Sequence, residues 1–311
     1  MDNKKQLKLY TPEYFGWCAV GGALACGLTH TIVTPLDIVK TNLQANPETF
    51  KSTGQGFKLL RQGGGIRALT VGWSPTLIGY SIQGFGKFGL YEFFKHKYSD
   101  LVTSHTGGDG AAKYRDFIWL GASASAEIIA DLGLCSFEAV KVRMQTSLNP
   151  TTMRSTFSSG TYEGLNKIIK NEGVNGLTKG LVPLWSRQVP YTMVKFLAFE
   201  RIVELTYKML PGEKKDYNKL QQIGITTFSG YSAGILCAIV SQPADNVISM
   251  LNKDKNATIG GILRDPKINM SSLFLKGLGP RIVMVGTLTS LQWCIYDVFK
   301  TIVGFPTSGG K

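Results

Sequence analysis

Apolar residues dominate six long stretches of this chain, at 14–44, 75–98, 116–146, 181–208, 222–252 and 278–303. Each exceeds the roughly 20 residues that a helix needs to span a bilayer. Each also keeps a few polar residues, and these weaken its hydropathy. Helices of that kind suit a bundle around a water-filled cavity, where one helix face is polar and the other meets lipid. The polar connections carry short amphipathic pieces: GFKLLRQ (56–62), GLNKIIK (164–170) and GGILRD (260–265). The pattern predicts an all-α membrane protein with six transmembrane helices.

The stretches are related to one another. PLDIVKTNLQ (35–44), SFEAVKVRMQ (136–145) and PADNVISMLN (243–252) share a register, spaced 101 and 107 residues apart. A second element also recurs three times, as TVGWSPTL (70–77), TKGLVPLW (178–185) and LKGLGPRI (275–282), each with glycine three residues before proline. These lead into GKFGLYEFFK (86–95), VKFLAFERIV (194–203) and LQWCIYDVFK (291–300). The chain divides into three pseudo-symmetric repeats of about 100 residues, 14–98, 116–208 and 222–303, each with two long helices and a short amphipathic one. Soluble solenoid repeats are usually 20–50 residues long and do not place Pro-x-acid inside long apolar helices.

Composition narrows the class. Hydrophobic residues make up 43% and charged ones only 18% of 311 residues, below the roughly 25% charged of soluble domains. The net charge is +13, which can mean nucleic acid, an anionic membrane surface or anionic solutes. The lysines are scattered and no nucleic-acid motif is present, so nucleic acid is excluded as a partner. Five cysteines, odd in number and mostly in apolar stretches, argue against a disulfide framework. The opening MDNKKQLKLYTPEYF is short, polar and mixed in charge. It predicts neither a secretory signal nor a mitochondrial presequence, so targeting is expected to be internal.

The tripled Pro-x-Asp/Glu-x-x-Lys/Arg pattern resembles the mitochondrial carrier family over nearly the whole chain. That resemblance implies six helices, alternating access around one central site, and residence in the mitochondrial inner membrane. It also implies a matrix gate formed by Asp37, Lys40, Glu138, Lys141 and Asp245, with Asp37 facing Lys141 and Asp245 facing Lys40. Gln44 and Gln145, four residues after their lysines, would brace it. Ser136 replaces the expected proline of the second copy, and Ile248 stands where Glu138 would find a cation. A matching cytoplasmic gate would use Glu92, Lys95, Glu200, Asp297 and Lys300, pairing Lys95 with Glu200 and Lys300 with Glu92. Val203 leaves Asp297 without its lysine. Gly64 and Gly65 replace the second copy's Glu172 and Gly173, which is expected to weaken the first matrix-side connection.

Residues that break the symmetry are candidate substrate contacts. Five residues before the motif prolines or their equivalent lie His30, Asp131 and Ala238, and one turn earlier Cys26, Glu127 and Gly234. Five residues before the acids of the even helices lie Lys87, Lys195 and Gln292. Lys87 is about a dozen residues past Pro75, or roughly 18 Å into its helix, too deep to snorkel easily. Two deep lysines suit a small oxyanion, and an arginine fork matches phosphate. The segments 79–92, 187–200, 240–252 and 282–293 look like the phosphate carrier subfamily, which implies phosphate import by proton symport or hydroxide antiport. Substrate contacts would then be Gln83, Lys87, Arg187, Gln188 and Lys195, with His30, Glu127 and Asp131 handling the proton. Cys26 and His30, four apart on one helix face, offer donors for a soft ion such as Cu(I), so copper is a second candidate cargo, alone or with phosphate. No Walker loop, metal cluster or nucleophilic triad points to an enzyme, and no cofactor is expected. The resemblance further implies a functional monomer among inner-membrane lipids such as cardiolipin.

Overall fold

A computed structural model describes residues 9–107, 110–253, 275 and 278–309. The amphipathic piece at 260–265 lies outside the described residues, as do the side chains of Gln44, Asp245 and Ile248. Helices α1 (Pro12–Ala45), α3 (Trp73–Thr106), α5 (Arg115–Thr146), α8 (Leu181–Met209), α9 (Lys219–Lys253) and α10 (Leu278–Val303) are the long ones. Shorter pieces are α2 (Thr53–Leu69), α4 (Gly110–Lys113), α6 (Thr161–Glu172) and α7 (Asn175–Thr178).

Local chemistry sets several boundaries. Thr11 caps α1 by accepting from the Tyr14 N–H at 3.2 Å, with Pro12 pre-set for the first turn. Ser52 caps α2 by accepting from Gln55 N–H at 3.3 Å. Gly65 has φ +64° and Gly173 has φ +68°, at equivalent positions of the first two repeats. The left-handed turn that favours glycine is thus kept despite the Gly64–Gly65 departure, bending α2 and ending α6. Pro35 and Pro243 lie inside α1 and α9, where each removes one helix hydrogen bond. Ser136 stands in place of the second repeat's proline, and α5 carries no proline in its length.

The long helices close a ring in the order α1–α3–α5–α8–α9–α10 and back to α1. Close contact between α1 and α3 depends on Gly22 and Gly84: a Cβ on Gly22 would lie 2.3 Å from the Gly84 carbonyl oxygen, and one on Gly84 2.2 Å from that of Gly22. The outer face is apolar. Leu24, Leu28, Ile32 and Leu36 form an exposed stripe along α1, and Phe85, Phe117, Phe228 and Ile302 are exposed elsewhere. Charged and polar side chains are instead buried within, the reverse of a water-soluble bundle. Among the described residues, four segments are long and apolar enough to cross a membrane: Pro12–Leu43, Arg115–Thr146, Lys219–Pro243 and Arg281–Val303. The remaining ring helices, α3 and α8, carry Lys87 and Lys195 on their inner faces.

Candidate functional site

Midway along the ring sits a buried polar layer. Lys87 of α3 pairs with Glu127 of α5, Nζ to Oε2 2.9 Å. Gln83, one turn before Lys87, donates from Nε2 to Glu127 Oε1 at 2.9 Å and to Asp131 Oδ1 at 2.8 Å. Both carboxylates are fully buried, and the second oxygen of Asp131 makes no hydrogen bond among the described residues. Lys195 of α8, 1% exposed, donates to Gln292 Oε1 of α10. Among the described residues no carboxylate lies within ion-pair distance of Lys195. The layer thus holds one neutralised ammonium and one bonded only to a neutral amide.

The remaining predicted residues are distributed around this layer. Cys26 is buried on α1. His30, half-buried, stacks on Tyr80 with centroids 3.7 Å apart and planes 13° from parallel. Lys141 Nζ lies 5.3 Å above the same Tyr80 ring. Arg187 is exposed and Gln188 half-buried. They sit eight and seven residues, respectively, before Lys195 on α8, about 10–12 Å along the axis, so the structure does not bring them into the Lys87–Lys195 layer. Among the described residues no group of three or more His, Cys, Asp or Glu could hold a metal ion, and Cys26 and His30 supply two donors.

Charged contacts also lie toward both ends. Lys141 Nζ is 2.7 Å from Asp37 Oδ2 and 3.4 Å from Glu138 Oε2. Glu138, with Ile248 at its expected cation position, has Arg187 Nη2 at 3.9 Å. Gln145 accepts from Thr41 Oγ1 at 3.4 Å and donates to the Val71 carbonyl at 3.3 Å. Lys40 is exposed. At the end where α1 begins and α10 finishes, Lys95 Nζ is 2.8 Å from Glu200 Oε1 and 3.7 Å from Glu92 Oε1. Tyr91 OH donates to Glu200 at 3.4 Å and Tyr14 OH to Glu92 at 3.3 Å.

Between this end and the central layer lies an aromatic seal that the sequence reading did not assign. Phe88, Phe196 and Trp293 each follow Lys87, Lys195 or Gln292. Their ring centroids form a near-equilateral triangle, 5.5, 5.4 and 5.6 Å apart. A second layer lies over it cyclically: Phe199 stacks on Trp293 at 3.5 Å, while Tyr91 meets Phe196 at 4.1 Å and Tyr296 meets Phe88 at 4.4 Å, both tilted. All six rings are buried, so the polar layer is closed from this end. The signal was present in the aligned repeats, where an aromatic residue recurs after each deep polar position.

A six-helix ring with an apolar outside, a buried charged layer at its centre and ion pairs toward each end defines a membrane carrier. The family model described as "Mitochondrial carrier protein" matches residues 12–101 and 117–210. The chain is 52% identical over 307 residues to "Mitochondrial phosphate carrier protein 3, mitochondrial" of Arabidopsis thaliana, covering 98% of this chain and 78% of that protein. It is 51% identical over 310 residues to "Probable mitochondrial phosphate carrier protein" of Schizosaccharomyces pombe, covering 98% and 96%. It is also 47% identical over 303 residues to "Phosphate carrier protein, mitochondrial" of Caenorhabditis elegans, covering 97% and 85%. The chain belongs to the mitochondrial carrier family: it is a multi-pass transporter of the mitochondrial inner membrane, not an enzyme.

Proposed function

We propose that this chain transports inorganic phosphate into the mitochondrial matrix together with a proton. The names of the relatives support the phosphate reading. The observation that carries it is Lys195, a buried ammonium whose one hydrogen-bond partner among the described residues is the amide of Gln292. A buried ammonium with no carboxylate in contact with it favours an anion at its side, even in a layer whose net charge is zero. Lys87 is the second cation, held by Glu127 until substrate arrives, and Gln83, Gln188 and Arg187 lie along the path. Lysine suits this role because its three rotatable donors follow a small tetrahedral ion as it turns.

The proton follows from counting charge. Lys87 and Lys195 balance Glu127 and Asp131, so the empty layer is neutral when all four are ionised. Adding a dihydrogen phosphate monoanion leaves one negative charge, and one proton on the Glu127–Asp131 pair restores neutrality. Gln83, donating to both carboxylates, holds them where they can share that proton. His30 stacks on Tyr80 one turn beyond Cys26, on the way out of the layer, and is assigned to passing the proton on. The gates at Asp37–Lys141 and Lys95–Glu200 would alternate, with the three repeats 14–98, 116–208 and 222–303 moving about the central site.

The test is uptake of radiolabelled phosphate by proteoliposomes holding the purified chain, with an alkaline interior. Uptake should rise with the pH gradient and vanish in Lys87→Ala. A folded protein that moves no phosphate would overturn the reading. Cu(I) is the second cargo to assay, because Cys26, a buried thiol, and His30 lie one turn apart on the same inner face of α1.

A further inference from the structure

The cytoplasmic ion-pair ring lacks one cation. Glu92 and Asp297 are each followed three residues later by lysine, Lys95 and Lys300, whereas Glu200 is followed by Val203. Asp297 on α10 therefore has no lysine on α8 to meet. It is nonetheless fully buried, and an unpartnered buried carboxylate is costly.

The C-terminal segment fills the gap. After α10 the chain turns at Gly304, which has φ +98°, and folds back under the ring. Asp297 Oδ1 accepts from the Ser308 backbone N–H at 2.9 Å and from its hydroxyl at 2.7 Å. Lys300 Nζ reaches Ser308 Oγ at 3.4 Å. The following glycine lies against Val203 itself, where a Cβ built on Gly309 would be only 2.8 Å from a Val203 methyl. Its φ of +65° is also one that glycine favours.

Further contacts anchor the segment to three other elements. Phe305 is buried and packs edge-on against Tyr14 of α1 at 5.1 Å. Thr307 Oγ1 donates to Gln222 Oε1 of α9 at 2.9 Å. Lys214, in the loop between α8 and α9, donates to the carbonyls of Thr307, at 2.8 Å, and Gly309. The segment thus ties α8, α9, α10 and α1 together at one end of the ring.

We propose that residues 304–309 form the third clasp of the cytoplasmic gate, with Ser308 taking the place of the cation missing at Val203, so that opening toward the cytoplasm requires their release. The proposal rests on the gate reading of Lys95 and Glu200. Charge-assisted bonds to a buried carboxylate are among the stronger hydrogen bonds, and here they come from a tether that remains attached to α10 when the gate opens. Such a clasp re-forms without finding a partner across the ring, because Ser308 stays eleven residues from Asp297 in the chain. Each turnover would then break and remake one local clasp as well as the Lys95–Glu200 pair.

The readout is Cys18. It is buried on α1, one turn past Tyr14 and beneath the clasp. A membrane-impermeant maleimide is added to the cytoplasmic face of the full-length carrier in proteoliposomes, and Cys18 alkylation is followed by peptide mass spectrometry. Three variants are compared with the native chain. Ser308→Ala removes the hydroxyl bond. Truncation after Pro306 removes the clasp but keeps the Phe305 anchor, and intact melting behaviour checks its fold. Val203→Lys in that truncated chain restores a cation.

Truncation should speed Cys18 alkylation by about tenfold, as expected for loss of bonds to a buried charge. Ser308→Ala should do so by a smaller factor, and Val203→Lys should return the truncated chain toward the native rate. Glu200→Gln is the control for the underlying gate. If Glu200→Gln speeds alkylation while truncation leaves it at the native rate, the clasp is overturned and the gate stands. If Glu200→Gln also changes nothing, the gate reading fails, and the clasp with it.

Discussion

Lys87 and Lys195 occupy equivalent positions of two repeats, yet their surroundings differ. Lys87 faces Glu127 at 2.9 Å, while Lys195 faces an amide. Removing Lys87 leaves Glu127 buried without its counter-charge, which costs about 3–5 kcal/mol. Lys87→Ala should therefore lose both transport and stability, and the double change Lys87→Met with Glu127→Gln should recover much of the melting temperature but none of the phosphate uptake. Recovered uptake would remove Lys87 from the substrate path. His30→Ala should impair uptake driven by a pH gradient more than phosphate–phosphate exchange, since exchange needs no net proton transfer. Equal loss in both assays would mean that His30 binds substrate or only supports Tyr80. The depth of Lys87, Lys195, Glu127 and Asp131 was legible in the sequence, because each breaks an otherwise symmetric apolar pattern. Which lysine is neutralised was not, since that depends on how α3 and α5 rotate against each other. The sequence also does not show that the Gln83 amide, a candidate phosphate contact, donates to both carboxylates.

At the scale of elements, the aromatic layers and the glycine contacts fix how closely the helices approach. Phe88 belongs to the triangle with Phe196 and Trp293 and also carries the Tyr296 ring. Phe88→Ala should destabilise the protein by about 3–5 kcal/mol, readable as a lower melting temperature in detergent. A change below about 1 kcal/mol would mean that neighbouring rings collapse into the space. The helix boundaries themselves were legible to within a few residues at most ends, because capping residues, prolines and the repeat register agree. The C-terminal segment was not, since GFPTSG carries no motif and gains its meaning only when α8 and α10 are neighbours. Lys214, which holds that segment, offers a pH test. Burial, and next the nearby Lys300 charge, push its pKa down to about 8, with Asp297 and Glu200 opposing and Lys219 adding to the shift. A lowered lysine pKa means that the folded chain releases its proton first, so its contribution to stability rises as pH climbs from about 8 toward the ordinary lysine value. Lys214→Met should flatten the rise in melting temperature over that window. An unchanged slope would show that Lys214 does not titrate there.

For the whole molecule, the apolar exterior, the sealed aromatic end and the buried charged layer describe one arrangement: a ring that hides charge from lipid, as the proposed one-side-at-a-time exposure of that layer requires. The family was legible from the tripled motif because three imperfect copies at one register are hard to produce otherwise. Its imperfections, Ile248, Ser136 and Val203, marked the places where packing would have to compensate. Glu138 turning toward Arg187, and Asp297 toward Ser308, are contacts that only the assembled ring reveals. On the proposed function, phosphate crosses with enough protons to keep the buried layer neutral. The most direct test is phosphate uptake into proteoliposomes under two separate driving forces: a pH gradient with the membrane potential clamped to zero, and a potassium diffusion potential with no pH gradient. The pH gradient should drive net uptake, and the potential, of either sign, should leave it unchanged. Uptake that follows the potential and ignores the pH gradient would contradict the proposed function.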